Sequence, residues 1–345
     1  MNGGNAMVKI KDVAAKAGVS VSTVSYVING KAEQIRISEV TQKKVWEAVE
    51  ELNYRPNMQA KKLKTGQAFS PTYAVLWNER ANSNLLERFM SGVQEAREKE
   101  KLSFEIVIYP YNHHTLADAC NYLKKSYCSG AIWLGVNMKD VEYAEKQDFS
   151  IPMVVFVKSE KFNSVIIDDE KIGIIAAEHM ADCGCKEIVV IQRVKFMDDA
   201  EGRVTNFQQR CMDLGVNVYI QDKEYEYSIE GGMKAAMEAV RDYPKVDGLY
   251  YLMDIMAAGG VNWLSFHRGE IGRQVKVMSH GNAIFSKCTY PQITVTNMPI
   301  EEMAAEGIRI LSGKNNSNVL EQTCVKLPTT LIERESCTKK RWEKY

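Results

Sequence analysis

The sequence has no apolar run as long as a membrane span, no net charge and no pair of CxxC motifs, and each lack closes off a class of function. Nothing in it reads as a transmembrane helix, and the opening stretch MNGGNAMVKI lacks the apolar core of a secretory signal, so a cytoplasmic location is expected. The 8 cysteines are scattered, with Cys183 and Cys185 too close together for a zinc-knuckle spacing, and reduced structural thiols are expected. Catalytic signatures are missing too. There is no nucleophile elbow and no GxGxxG. The stretch from Gly307 to Asn315 is one residue too long for a phosphate loop, and no Ser or Thr follows its lysine. His113 and His114 are adjacent and so point apart on most backbones, which argues against a two-histidine metal site. No enzyme, metal or cofactor is expected.

What is there begins with an asymmetry. Apolar residues make up 45% of the 345, enough for well-filled cores, and the length suits a small module plus a larger two-lobed unit. Residues 1–66 hold 11 Lys or Arg against 6 Asp or Glu, so the start of the chain carries +5 and the rest −5. A basic start on a mildly acidic body favours phosphate contact at one end and discourages it elsewhere. Within that start, Ile10, Val13, Ala14 and Ala17 recur at i, i+3, i+4 and i+7, one face of a helix. Gly18 can end that helix at positive φ, and Ser20 supplies an N-cap hydroxyl for a second one. In the second helix Val24, Val27 and Ile28 point inward and Val21, Ser22, Ser25, Tyr26 and Asn29 point out. This is the layout of a helix-turn-helix, although an ordinary helical hairpin has the same periodicity. Ser38 reads as the cap of a third helix, with Val45, Val49 and Leu52 closing the core. A short segment follows from Asn57 to Thr65, with apolar Met58, Ala60 and Leu63 among lysines, and at two turns it needs a partner to stay helical.

The run DVAAKAGVSVSTVSYVING, with ELNYRPN and MQAKKLKTG after it, resembles the DNA-binding headpiece of the lactose-repressor (LacI) family of bacterial transcription regulators. The resemblance is almost residue for residue in the headpiece and thinner beyond it. It implies that Val21, Ser22 and Tyr26 read bases and that Ser20, Ser25, Asn29 and Thr41 hold phosphates. The lactose repressor has an arginine where Tyr26 stands, so the bidentate guanine contact of Arg is not on offer and operator letters do not transfer. Leu63 matches the leucine that family members wedge into the minor groove, with Lys62 beside it and Asn57 capping the hinge helix. A linker leucine packing on its own core is the alternative.

Beyond Thr72 the pattern alternates. YAVLWN (73–78), FEIVIY (104–109), GAIWLG (130–135) and PMVVFV (152–157) read as buried strands, and EIVVIQ (187–192), VNVYI (216–220), VDGLYYL (246–252) and VKVMS (275–279) form a second series, with helical segments between. That is βαβ architecture in two halves. The fold class expected is α/β, a small all-α helix-turn-helix headpiece (8–56), a hinge helix and linker (57–71) and a core (72–336). The resemblance supplies the core's plan: two Rossmann-like subdomains, periplasmic-binding-protein-like, joined by three chain crossings around an effector cleft.

For that cleft the resemblance aligns Arg203 with an effector-gripping arginine and Tyr227 with a sugar-stacking aromatic. Trp77, at a strand end, is a further cleft candidate, or else core. MDIMAAG (253–259) resembles the family's NDxxAxG: Asp254 is kept, as a helix cap and cleft residue, whereas the ligand-facing Asn is Met253. The GYDD pattern has become Ser279, His280, Gly281 and Asn282, and Val157 replaces a cleft acid. Those losses leave open a sugar, a phosphosugar gripped by Arg203, or an idle pocket. No C-terminal leucine heptad follows, so a homodimer on double-stranded operator DNA is expected. The reading is an effector-controlled DNA-binding regulator, a repressor. The alternatives are a two-lobed ligand-binding or enzymatic protein with an incidental headpiece, or a regulator signalled by a partner protein.

Overall fold

The computed structural model describes residues 9–28, 32–52, 54, 70–79, 83–112, 114–192, 201–221, 223–267, 275–313 and 322–339. The chain divides into two compact units, Met1–Thr72 with Lys125–Ser129, and Tyr73–Lys124 with Gly130–Tyr345. The expected hinge segment from Asn57 to Thr65 and the residue Asn29 lie outside the described residues.

The first unit holds α1 (Ile10–Ala17), α2 (Val21–Ile28) and α3 (Glu39–Glu51). Helix α1 opens with the Asp12 carboxylate accepting the Lys9 amide at 2.7 Å and closes at Gly18, whose φ of 67° is left-handed. Ser20 accepts the Thr23 amide at 3.1 Å and Ser38 the Thr41 amide at 3.3 Å, so both serines cap the helices that follow them. Val13, Ala14, Val24, Val27, Val45 and Ala48 are buried together. Each buried valine stabilises this small core by about 1.5–3 kcal/mol. Ala32 and Tyr54, which periodicity does not single out, complete it.

The second unit contains two six-stranded sheets. Lobe 1 runs β1 (Thr72–Asn78), α4 (Ser83–Glu100), β2 (Glu105–Tyr111), α5 (Leu116–Lys125), β3 (Gly130–Leu134), α6 (Met138–Glu145), β4 (Met153–Val155) and β5 (Asn163–Ile167). The chain crosses at Asp168 into lobe 2: α7 (Asp169–Asp182), β6 (Glu187–Ile191), α8 (Glu201–Asp213), β7 (Asn217–Gln221), α9 (Ile229–Asp242), β8 (Gly248–Tyr251), α10 (Asp254–His267), β9 (Lys276–Gly281), α11 (Ile284–Lys287) and β10 (Thr294–Asn297). It returns through Met298 to α12 (Ile300–Ser312) and β11 (Cys324–Leu327) in lobe 1, then crosses a third time to β12 (Leu331–Ile332) in lobe 2. The sheet orders are β11-β5-β4-β3-β1-β2 and β12-β10-β9-β8-β6-β7. Strands β1, β3, β4, β5 and β11 run parallel, as do β7, β6, β8, β9 and β10, and β12 is paired antiparallel on β10.

Parallel strands covered on both faces account for the apolar runs: Ala74, Val75 and Leu76 of β1 and Ile188, Val189 and Val190 of β6 are wholly buried. One expectation is corrected. FEIVIY is not a buried strand, because β2 is the last strand of its sheet and leaves Val107 and Ile108 exposed. Strands β5, β10, β11 and β12 have no counterpart among the sequence expectations: β10 carries buried threonines, β5 opens with Asn163 and Ser164, and β11 and β12 have 4 and 2 residues.

Candidate nucleic-acid interface and effector cleft

The outward face of α2 starts one residue after its cap. Val21 is 43% exposed and Tyr26 40%, Ser22 is exposed and Ser25 half-buried, while Val24 and Val27 on the opposite face are fixed in the core. The side chains that could touch a ligand are therefore held by the ones that cannot. No acidic or basic residue lies in the first or last turn of α2, so nothing there repels a phosphate. The Ser20 hydroxyl bonds the Thr23 hydroxyl at 2.8 Å, and the Thr41 hydroxyl bonds that of Ser38 at 2.9 Å, which orients both at helix N-termini. Asn29, Asn57, Lys62 and Leu63 lie outside the described residues.

In the second unit the C-terminal strand ends of the two lobes carry the remaining candidates. Arg203 sits in the first turn of α8 and is only 8% exposed. Its Nε and Nη2 donate to Oδ1 of Asp169 at 3.1 and 2.5 Å. Helix α8 reaches α7 closely because residue 173 is glycine: a Cβ there would overlap the Arg203 carbonyl. On the same face of the lobe 2 sheet, His280 of β9 is buried and its Nδ1 lies 3.0 Å from the Thr296 hydroxyl of β10. Burial, with help from the charges of Arg203 and Arg88, holds the His280 imidazole well below its ordinary range, so it is neutral, and its Nε2 has no protein partner. Tyr250 stacks on Phe207 with ring centroids 4.5 Å apart, and burial pushes its phenol up to about 12.

Among the described residues, α4 of lobe 1 makes polar ties toward lobe 2 and the crossing. Asn84 of α4 accepts the Ile284 amide at 3.3 Å. Arg88, one helical turn on, donates to the Met298 carbonyl at 2.8 Å and forks onto Glu301 at 2.7 and 2.6 Å, gripping the second crossing. No described helix is long and apolar enough to cross a membrane.

Residues 9–57 match the family model described as bacterial regulatory proteins, lacI family, and residues 177–337 match that of a periplasmic binding protein-like domain. The chain belongs to the LacI family. Among its relatives, the HTH-type transcriptional regulator RegA of Clostridium saccharobutylicum is 26% identical over 335 residues, which cover 95% of this chain and 98% of RegA. The ribose operon repressor of Halalkalibacterium halodurans is 25% identical over 346 residues, covering 96% and 97%. A crystal structure of a LacI family transcription regulator from Clostridium acetobutylicum superposes with a TM-score of 0.70 at 25% identity, covering 77% of this chain and all of that one. These relatives are transcription regulators, and this chain is a DNA-binding transcription regulator of the same family.

Within this LacI-family regulator the cleft candidates divide. Arg203 is bonded to Asp169, and His280 bonds Thr296 on the same face of the sheet; Asp169 and Thr296 carry no signal in the sequence pattern. Asp169 escapes a reading by apolar runs because β5, the strand before it, is not recognised as one. Trp77 packs its ring on the lobe 1 core at the end of β1, with an indole N–H that has no protein partner. Tyr227 packs on the other face of the lobe 2 sheet from Arg203, beside Met253 and Ile255. Asp254, at the start of α10, is engaged within the protein. Its Oδ2 accepts the amides of Asn282 at 3.1 Å and Ala283 at 2.5 Å, tying the β9–α11 loop to α10. That loop passes so close that Gly281, at φ 144°, has no room for a Cβ beside the carboxylate.

Proposed function

We propose that this regulator is a repressor that binds a near-palindromic operator as a homodimer and is controlled by a neutral, polyhydroxylated effector held between its lobes. The observation that carries the DNA half is the exposed face of α2, where Val21, Ser22 and Tyr26 stand out from a helix anchored by Val24 and Val27. Val21 offers an apolar surface to a thymine methyl, and Tyr26 a hydroxyl and a ring. The serines at 20 and 25 and Thr41 serve phosphates, and Asn29, Asn57, Lys62 and Leu63 extend the contact through the hinge.

The effector half is supported by the state of Arg203. Its charge is already met by Asp169, and the histidine on its flank is neutral. Such a pair suits hydroxyl groups, which can donate to the carboxylate and accept from the guanidinium at once, better than a phosphate, which would have to displace the carboxylate. Trp77 and Tyr227 frame the ligand from the two lobes. The protein acts in the cytoplasm and performs no chemistry on its ligand.

Selection from a random duplex pool with the purified full-length protein tests the reading. Enrichment of an inverted repeat, lost on Tyr26→Ala, is the expected result. A pool that stays random at the salt concentration where binding occurs would defeat it.

A further inference from the structure

Far from the strand ends of the cleft, His179, Cys183 and Cys337 bring an imidazole nitrogen and two sulfurs within 4.8 Å of one another. His179 and Cys183 lie four residues apart at the end of α7 and so share one face of it. Cys337 arrives from the C-terminal segment that follows β12, 158 residues away from His179. Cys185, two residues past Cys183, stands outside this group, its thiol 3.9 Å from the Asp247 carbonyl. His179, Cys185 and Cys337 are buried, and Cys183 is half-buried.

We propose that His179, Cys183 and Cys337 form a zinc site, with His179 Nε2 and the sulfurs of Cys183 and Cys337 as its three protein ligands and water in the fourth position. The donor set is two thiolates and an imidazole, and such ligands select zinc over hard cations. The spacing fits. Zinc bonds of about 2.3 Å to sulfur and about 2.0 Å to nitrogen place tetrahedral neighbours about 3.5 Å apart. Cys183 Sγ and His179 Nε2 are 3.6 Å apart. In the structure Nε2 donates to the Cys337 carbonyl at 2.9 Å, a bond that coordination would replace, with the ring proton moving to Nδ1 and the thiols releasing theirs.

The place of the site gives it a task. The C-terminal segment is already sewn to lobe 2, Ser336 to the Val277 amide and carbonyl and Lys276 to the Thr338 carbonyl, and Lys339 pairs with Asp182 at 2.7 Å. A metal at Cys337 would clamp that segment to α7, the helix that bears Asp169 at its other end. A disulfide between Cys183 and Cys337 is the competing use of the two sulfurs. It has no need of the histidine and is disfavoured in a reducing cytoplasm.

Cobalt titration of the full-length protein, purified reduced and stripped with chelator, tests the site. We expect one equivalent of Co²⁺ per chain, with thiolate-to-cobalt charge transfer and the visible bands of a tetrahedral ion, bleached by Zn²⁺. His179→Gln and Cys337→Ser should each weaken binding at least about tenfold, whereas replacing the exposed Cys288 or Cys324 should change nothing. Should a buried-ligand variant fold poorly, alkylation of wild-type Cys183 provides a second reading: zinc should protect it. Absent tetrahedral bands, metal uptake that follows Cys288 or Cys324, or a Cys183–Cys337 disulfide that forms in place of metal uptake would each overturn the proposal.

Discussion

Arg203 and Asp169 are bonded at 2.5 Å across the junction of α7 and α8, with the arginine almost wholly enclosed and the aspartate about a third exposed. An arginine so engaged is not a free cation waiting for an anion. Asp169 begins the helix that follows the first crossing between the lobes, so a ligand that touches the pair touches the hinge as well.

Arg203→Ala should leave operator affinity unchanged and remove its dependence on the effector, because the two sites lie in different units. Gel shifts with and without the ligand found by thermal-shift screening measure this. Losing the charged bonds should also cost about 1–3 kcal/mol of core stability. An effector response that survives intact would take Arg203 out of the cleft.

Asp169→Asn tests the choice of a neutral effector. It leaves Arg203 with an unbalanced charge, so the variant should gain affinity for phosphorylated sugars relative to the unphosphorylated parents. Paired thermal-shift titrations of wild type and variant report the ratio. Equal ratios would mean that Asp169 does not govern ligand charge.

Tyr26→Ala should change folding stability by less than about 0.5 kcal/mol, since Tyr26 is exposed and outside the headpiece core. It should nevertheless narrow the gap between specific and non-specific binding by about 1–3 kcal/mol. Lys62→Ala should weaken both kinds of binding together and reduce the slope of log affinity against log salt by about 1. Competition binding over a range of salt separates the two effects.

Glu301 gives a pH test. Burial pushes its carboxyl up, but the Arg88 hydrogen bonds and charge outweigh that and leave it below the usual 4.5. The folded value is thus lower than the unfolded one, so the contribution is complete above 4.5 and fades as pH falls through the lowered value. Glu301→Gln should therefore cost stability at neutral pH and much less in acid. Urea unfolding of both proteins across that range would show the two curves converging, and parallel curves would refute it.

What is legible in the sequence is what periodicity or a fixed residue encodes. Ile10 to Ala17, Gly18 and Ser20 announce the headpiece because helix spacing, a left-handed stop and a hydroxyl cap are local properties. The buried strands at 130–134 and 187–191 show as apolar runs because both of their faces are covered. Strand β10, TVTN, hides its burial, since Thr294 and Thr296 have their hydroxyls satisfied by Arg334, Cys337 and His280 and need no apolar side chain. The partnership of Arg203 with Asp169 and that of Cys337 with His179 are tertiary facts, and no spacing rule reaches across them. The tie from Asp254 to the β9–α11 loop is a tertiary fact of the same kind, which the motif that preserves the residue does not reveal.

The threefold crossing also sets a timetable. Strand β5 is sandwiched between β4 and β11, and Ser164 pairs with Cys324 across much of the chain. During synthesis lobe 1 must therefore wait, with one flank of β5 unpaired and the α12 face of its core bare, until most of lobe 2 has left the ribosome. The headpiece, made first and self-contained, has no such wait. A chain halted before residue 300 would carry a finished DNA-reading module on an unfinished body.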